Sequence, residues 1–107
     1  KDIAFFETAQ FYHLAGFGGV VFNKAAYFGN VLFKNLAYFQ KAQFMGEAVF
    51  MKSQFLKETV FNSTAFYKET YFSEAKFKGK VDFDKSLFKV KPDFSGATLN
   101  GNPFNPV

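Results

Sequence analysis

The side chains that could carry chemistry are few and scattered. His13 is the only histidine, and cysteine and arginine are absent. Without a cysteine there is no thiolate nucleophile and no disulfide. No serine stands in an arrangement with a histidine and an acid that would predict a triad. Asp82 and Asp84 flank Phe83 and put two carboxylates on one face. A hard cation takes six or more oxygens, so two carboxylates do not predict a site. Gly16-Phe17-Gly18-Gly19 lacks the spacing of a phosphate-cradling loop. The expectation is a chain that is not an enzyme, with no catalytic residue, no cofactor and no metal. Six lysines fall between Lys76 and Lys91, interrupted by Asp82 and Asp84. A nucleic-acid reader usually relies on arginine for bidentate contacts to bases and phosphates. The net charge of +4, carried by lysine alone, therefore reads as a solvated surface and argues against a nucleic-acid partner.

What must position these residues is set by phenylalanine. All but Phe5 and Phe104 of the 19 phenylalanines fall on one register, from Phe6, Phe11, Phe17 and Phe22 to Phe88 and Phe94, with steps alternating between five and six residues. Leu99 takes the next place. On an α-helix a step of 5.5 residues turns about 190° beyond a full turn, so alternate phenylalanines would point to opposite sides. Glycines at 16, 18, 19, 29, 46 and 79 would interrupt such a helix at about 1 kcal/mol each. A plain meander fails because strand core positions fall at even separations only. The chain must turn a corner between one register residue and the next, which describes a solenoid.

The position two before each register residue is mostly Ala, Ser or Thr, as at Ala4, Ala9, Ala15, Ala42, Ser53, Thr59 and Thr64. Residues two apart on an extended face share a side. Each face therefore sends one small and one large side chain inward.

Units such as Ala42-Gln43-Phe44, with the alternating steps Phe44 to Phe50 and Phe50 to Phe55, resemble the Phe-rich branch of the pentapeptide-repeat proteins. The resemblance runs from about Ala4 to Leu99. It implies an all-β, right-handed quadrilateral β-helix of about 22 residues per coil and four to five coils. Residues 1–107 then form a single domain, with residues 100–107 as a C-terminal cap in which Phe104 plugs the last coil. The start, near Phe5 and Phe6, is expected to lack a cap. Four inward ladders follow, beginning at Phe6, Phe11, Phe17 and Phe22. The expected shape is an elongated β-rod about 20 Å long at the usual strand spacing.

Stacking also aligns the outer surface. Phe5, Tyr27, Val49, Tyr71 and Asp93 form one column, with Met51 beside it. Tyr27, Val49, Met51 and Tyr71 are the candidate interaction surface, because contiguous exposed apolar residues mark contacts. Tyr38 and Val60 form a smaller pair across the rod. The resemblance implies a non-enzymatic structural or protein-interaction module, a scaffold or spacer in a larger protein, with a protein partner or a second copy as partner. Some relatives of that kind protect gyrase by mimicking DNA, a role that needs an acidic rod. Ice binding needs ranks of outward threonine, whereas Thr59, Thr64 and Thr70 are expected to point inward. No apolar run reaches the ~18 residues of a membrane span. The chain begins at Lys1 without a signal-like segment, as a piece of something longer would. The resemblance implies a prokaryotic protein, cytoplasmic or attached to a membrane through its parent.

Overall fold

A computed structural model of the chain describes residues 3–107, and every regular element in it is a strand. Each strand is two residues long, and all but the last persist by pairing, in parallel, with the residues one coil away. The pairing partners are about 22 residues apart, as in Ala4 with Ala26 and Phe55 with Phe77. Four sheets result, one for each side of a four-sided solenoid. The first side stacks Ala4–Phe5, Ala26–Tyr27, Ala48–Val49 and Thr70–Tyr71. The second stacks Gln10–Phe11, Leu32–Phe33, Gln54–Phe55, Lys76–Phe77 and Thr98–Leu99. Ala15–Gly16, Ala37–Tyr38, Thr59–Val60 and Val81–Asp82 make the third side, and Val21–Phe22, Gln43–Phe44, Ala65–Phe66 and Leu87–Phe88 the fourth.

The two step lengths build two kinds of corner. A five-residue step leaves its phenylalanine through a tight turn closed by an i to i+3 bond. Ala9 N–H donates to the Phe6 carbonyl at 3.0 Å, Ala42 to Phe39 at 3.0 Å and Ser53 to Phe50 at 3.2 Å. The third turn residue has positive φ, which makes the turn type II. Thr8, Gly19, Asn30, Lys41, Lys52, Ser63, Glu74, Lys85 and Gly96 occupy that place, with φ from 56° to 74°. Only two of the nine are glycine. The left-handed conformation costs an L-residue on the order of 1–2 kcal/mol, and coil-to-coil bonds hold it in place. Lys52 N–H, for instance, donates to the Ser73 carbonyl at 2.9 Å. The six-residue steps use their extra residue to round a wider bend, where positive φ occurs only at Gly79.

The inward phenylalanines form the four expected ladders. Within a ladder the rings stack with centroids 4.7–5.1 Å apart and planes within 10° of parallel, as for Phe28 on Phe50 and Phe44 on Phe66. The first-side and third-side ladders meet edge to face across the centre. Phe28 to Phe39 is 5.6 Å at 88°, and Phe39 to Phe50 is 5.5 Å at 90°. Stacked along the axis and edge-on across it, both arrangements suit the ring quadrupole. The ten rungs from Phe28 to Phe77 are sealed from solvent. The small positions are sealed too: Ala26, Ala37, Ala42, Ala48, Ser53, Thr59 and Thr64 are all fully buried. The threonines point inward as expected.

Buried hydroxyls at the tight corners find a regular partner. Ser53 Oγ donates to the Phe28 carbonyl at 2.6 Å and Thr64 Oγ1 to Phe39 at 2.7 Å, which ties each corner to the same corner of the coil before it. The half-buried Ser86 Oγ shares its proton between the equivalent Phe61 carbonyl at 3.2 Å and the Phe83 carbonyl of its own corner at 2.5 Å.

The molecule is squat rather than elongated, which corrects the expected rod. Its extents are 34 × 28 × 21 Å and its radius of gyration is 12.2 Å. Four to five coils at ~4.8 Å each add only ~20 Å of length, no more than the breadth of a coil with its side chains.

The two ends differ. At the C-terminal end Asn100 and Gly101, with φ of 50° and 84°, make a two-residue turn of the primed type that the dipeptide Asn-Gly favours. It folds Asn102–Pro103 antiparallel onto Thr98–Leu99. Phe104 then lies against Phe77, Phe83 and Phe94, with centroids 5.5, 6.5 and 5.9 Å away. At the N-terminal end Phe6, Phe11 and Phe17 have ladder partners on one side only and are half-buried.

Candidate interaction face

The outward column of the first side is a continuous structural feature. Phe5 pairs with Tyr27, Tyr27 with Val49, Val49 with Tyr71, and Tyr71 bridges to Asp93. Strand alternation explains the column: Ala4, Ala26, Ala48 and Thr70 face the core, so the next residue in each two-residue strand faces out. Phe5 and Tyr27 stack at 5.4 Å with planes 20° apart. Phe5 is 67 % exposed, while Tyr27, Val49 and Tyr71 are half-buried against one another. Met51 stands just past this column, at the second position of the turn that starts at Phe50, and is exposed. All four sequence-predicted residues thus lie on one side of the solenoid and its adjoining corner.

The rim of this face is polar. Tyr27 donates its hydroxyl to Glu47 Oε1 across the wider corner, at 3.4 Å. At the far end of the column Ser95 donates its hydroxyl and, at 2.8 Å, its backbone N–H to Asp93 Oδ1. Those two bonds favour the ionised form and hold the Asp93 carboxyl below the usual carboxylate range. Glu69 stacks on Glu47 in the adjoining corner, since Ala48 pairs with Thr70. The face is therefore an aromatic and aliphatic strip with carboxylates along one edge and at one end, on a protein whose net charge is +4.

On the opposite side Tyr38 pairs with Val60, which continues to Gly16 on one hand and Asp82 on the other. Both Tyr38 and Val60 are half-buried. This second strip spans two coils only, because Gly16 contributes no side chain and Asp82 is charged.

The residues that suggested chemistry are dispersed. His13 sits exposed at a wide corner. Asp82 Oδ1 accepts the backbone N–H of Asp84 at 2.8 Å, which closes a local turn. No three metal-ligating side chains come together among the described residues. A 470 Å³ hollow opens at the C-terminal end between Phe94, Ala97, Thr98, Pro103 and Phe104. It is the gap under the terminal hairpin, and its lining carries no titratable group.

The spacing, the four sheets and the stacked rings together restrict the chain to one kind of solenoid, and a family model decides it. The model for pentapeptide repeats in nine copies matches residues 6–54 and 61–105. The chain belongs to the pentapeptide-repeat family. No curated protein and no solved structure matches it. Pentapeptide-repeat solenoids are generally non-catalytic, because the repeat pattern specifies the core and leaves the outer positions free. The described residues of this pentapeptide-repeat chain form no helix long and apolar enough to cross a membrane.

Sequence reasoning missed two features near these surfaces. One is the run of left-handed corner residues at every eleventh position. Lys, Glu, Ser and Thr give no local signal for positive φ, so only the fold reveals it. The other is the Asn100-Gly101 hairpin, whose dipeptide signal was legible in the sequence.

Proposed function

We propose that this pentapeptide-repeat chain is a non-enzymatic protein-docking module in which residues 1–107 form one rigid unit and residues 100–107 cap its C-terminal end. The docking surface is the first side, with Tyr27, Val49 and Tyr71 as its anchors and Met51 at its edge. The observation that carries this reading is the unbroken outward column from Phe5 to Tyr71, locked in register by backbone pairing. Large side chains held on a rigid sheet lose little entropy when a partner covers them. Aromatic anchors with a polar rim are the usual anatomy of an interface. Carboxylates along the rim, at Glu47, Glu69 and Asp93, favour a partner with an apolar strip flanked by lysine or arginine. Mimicry of DNA is disfavoured by the net charge of +4.

The test compares two charged double variants on opposite sides. Protein captured by the immobilised chain is identified by mass spectrometry, purified, and titrated against wild type, Tyr27→Lys/Tyr71→Lys and Tyr38→Lys/Val60→Lys. The reading expects at least a tenfold loss of affinity for the first variant and little change for the second. Equal affinity for wild type and the Tyr27→Lys/Tyr71→Lys variant removes the first side as the docking surface.

A further inference from the structure

We propose that the fourth side is a membrane-contact face, which lays the solenoid flat on a bilayer that carries anionic lipid. The inference rests on a side other than the docking face, and on side chains whose outward direction is fixed by pairing between coils.

Charge sets this side apart. With its flanking corners it is built from residues 19–24, 41–46, 63–68 and 85–90, which contain Lys24, Lys41, Lys68, Lys85 and Lys89 and no carboxylate. Five of the nine acidic residues, Glu7, Glu47, Glu69, Glu74 and Asp93, lie instead on the first side and at its edges. Asp84, at the start of the tight corner, belongs to the end of the third side. Lys41 and Lys85 hold the left-handed place of the tight corner that enters the fourth side, with φ of 62° and 60°. Lys24 and Lys68 stand in the wide corner that leaves it. Along either edge these lysines recur every second coil, ~10 Å apart at the usual strand spacing. That is about one Debye length at physiological salt, so their mutual repulsion is largely screened.

Apolar side chains fill the space between the two edges. Val21, Gln43, Ala65 and Leu87 pair in register and face out, because Phe22, Phe44, Phe66 and Phe88 beside them face in. In the next outward column Met45 and Tyr67 stack, with the Met45 N–H bonded to the Phe22 carbonyl at 2.9 Å and the Tyr67 N–H to the Phe44 carbonyl at 3.0 Å. Leu87 is 47 % exposed and Met45 38 %. Tyr67 is half-buried.

The chemistry of the occupant follows from this pattern. An aliphatic strip with lysine on both edges and no acid between them matches the surface of a bilayer. Apolar groups enter the boundary between headgroups and acyl chains, while lysine amines reach the phosphates on flexible stems. The Tyr67 side chain offers an apolar ring and a polar tip, which suits the same depth. Lysine without arginine fits a diffuse negative surface, since arginine excels at gripping one carboxylate or phosphate with two bonds. Each lysine held near an anionic leaflet is worth roughly a factor of five in partition.

The experiment is co-sedimentation of the full chain with lipid vesicles at physiological ionic strength. Phosphatidylcholine vesicles with phosphatidylserine as one third of the lipid should carry wild type down, and pure phosphatidylcholine vesicles should leave it in solution. Lys41→Glu/Lys68→Glu should bind the anionic vesicles at least tenfold more weakly. The corner accepts the change at 41, because Glu74 holds the same turn position with φ of 58°. Lys76→Glu/Lys78→Glu has the same net charge but alters the second side, and should bind within about threefold of wild type. The chain has no cysteine, so a polarity-sensitive dye can be attached through Leu87→Cys or Gln54→Cys alone. On anionic vesicles the dye at 87 should shift to the blue, and the dye at 54, on the opposite side, should not. Wild type that stays in solution with anionic vesicles overturns the proposal. So does an equal loss in the two lysine pairs, or a blue shift at 54 in place of 87. Capture by polyglutamate beads without capture by vesicles would assign the side to an acidic protein and overturn it as well.

Discussion

At the scale of single residues, the glycines and the acids separate space from conformation and charge from geometry. Gly46 does not have the positive φ that excludes other residues, yet a Cβ there would lie 2.6 Å from the Lys24 carbonyl carbon and 2.7 Å from the Ala25 nitrogen. Both are backbone atoms of the coil before and cannot step aside. Gly46→Ala should therefore lower stability by about 1–3 kcal/mol, read from urea midpoints. Gly19 is the opposite case, with φ of 72° and open space around its Cβ position. Asp93 gives a pH signature. Its folded pKa lies below its unfolded value because Ser95 hydrogen-bonds the carboxylate. The stabilisation is complete above the unfolded pKa, near 4, and is lost as pH falls through the lower folded value. Ser95→Ala should shrink this acid-side loss, so that stabilities of the variant and wild type converge toward low pH and differ at pH 7. A constant difference across that range would mean that Ser95 acts without Asp93.

At the scale of elements, the corner decides more than the strand. A two-residue strand has no independent stability, so each coil depends on turn chemistry and on ties between corners. The hydroxyl bonds from Ser53, Thr64 and Ser86 to the carbonyls of Phe28, Phe39 and Phe61 recur with one offset. Ala75 occupies the equivalent place between Thr64 and Ser86 and is fully buried. By the same offset a serine there meets the Phe50 carbonyl. Thr64→Val should cost about 1 kcal/mol, and Ala75→Ser should be neutral or stabilising by up to ~1 kcal/mol. A thermal or denaturant series on the two variants checks both. Marked destabilisation by Ala75→Ser would show that the offset does not transfer between corners.

At the scale of the whole molecule, stability runs along one axis and fades at the ends. Interior coils contact a coil on each side, whereas among the described residues the first coil has a neighbour on one side only, and in solenoids stability is close to a sum over such neighbours. Phe50 is fully sealed between Phe28 and Phe72, while Phe11 is half-buried with one stacking partner, Phe33. Phe50→Asp places an unpaired carboxylate in the centre of the core and should abolish cooperative unfolding. Phe11→Asp, able to reach water, should leave a cooperative transition at a lower midpoint. Circular dichroism melts distinguish the two, and a Phe50→Asp variant that melts like wild type would refute the ladder.

The architecture was legible in the spacing of phenylalanine because a five-then-six step satisfies no helix and no flat sheet. The inward threonines and the aromatic column followed from the same register. Three things were decided only by the tertiary structure. Non-glycine residues hold left-handed corners at Lys41, Lys52 and Glu74 because bonds from the next coil impose the turn, and no local propensity records that. The squat shape comes from a coil as broad as the stack is tall, which repeat counting alone does not convey. The fold-back of Phe104 over the last rungs depends on a terminal hairpin that lies outside the phenylalanine register. Periodic sequence determines what every coil shares. Contacts between coils decide where coils differ.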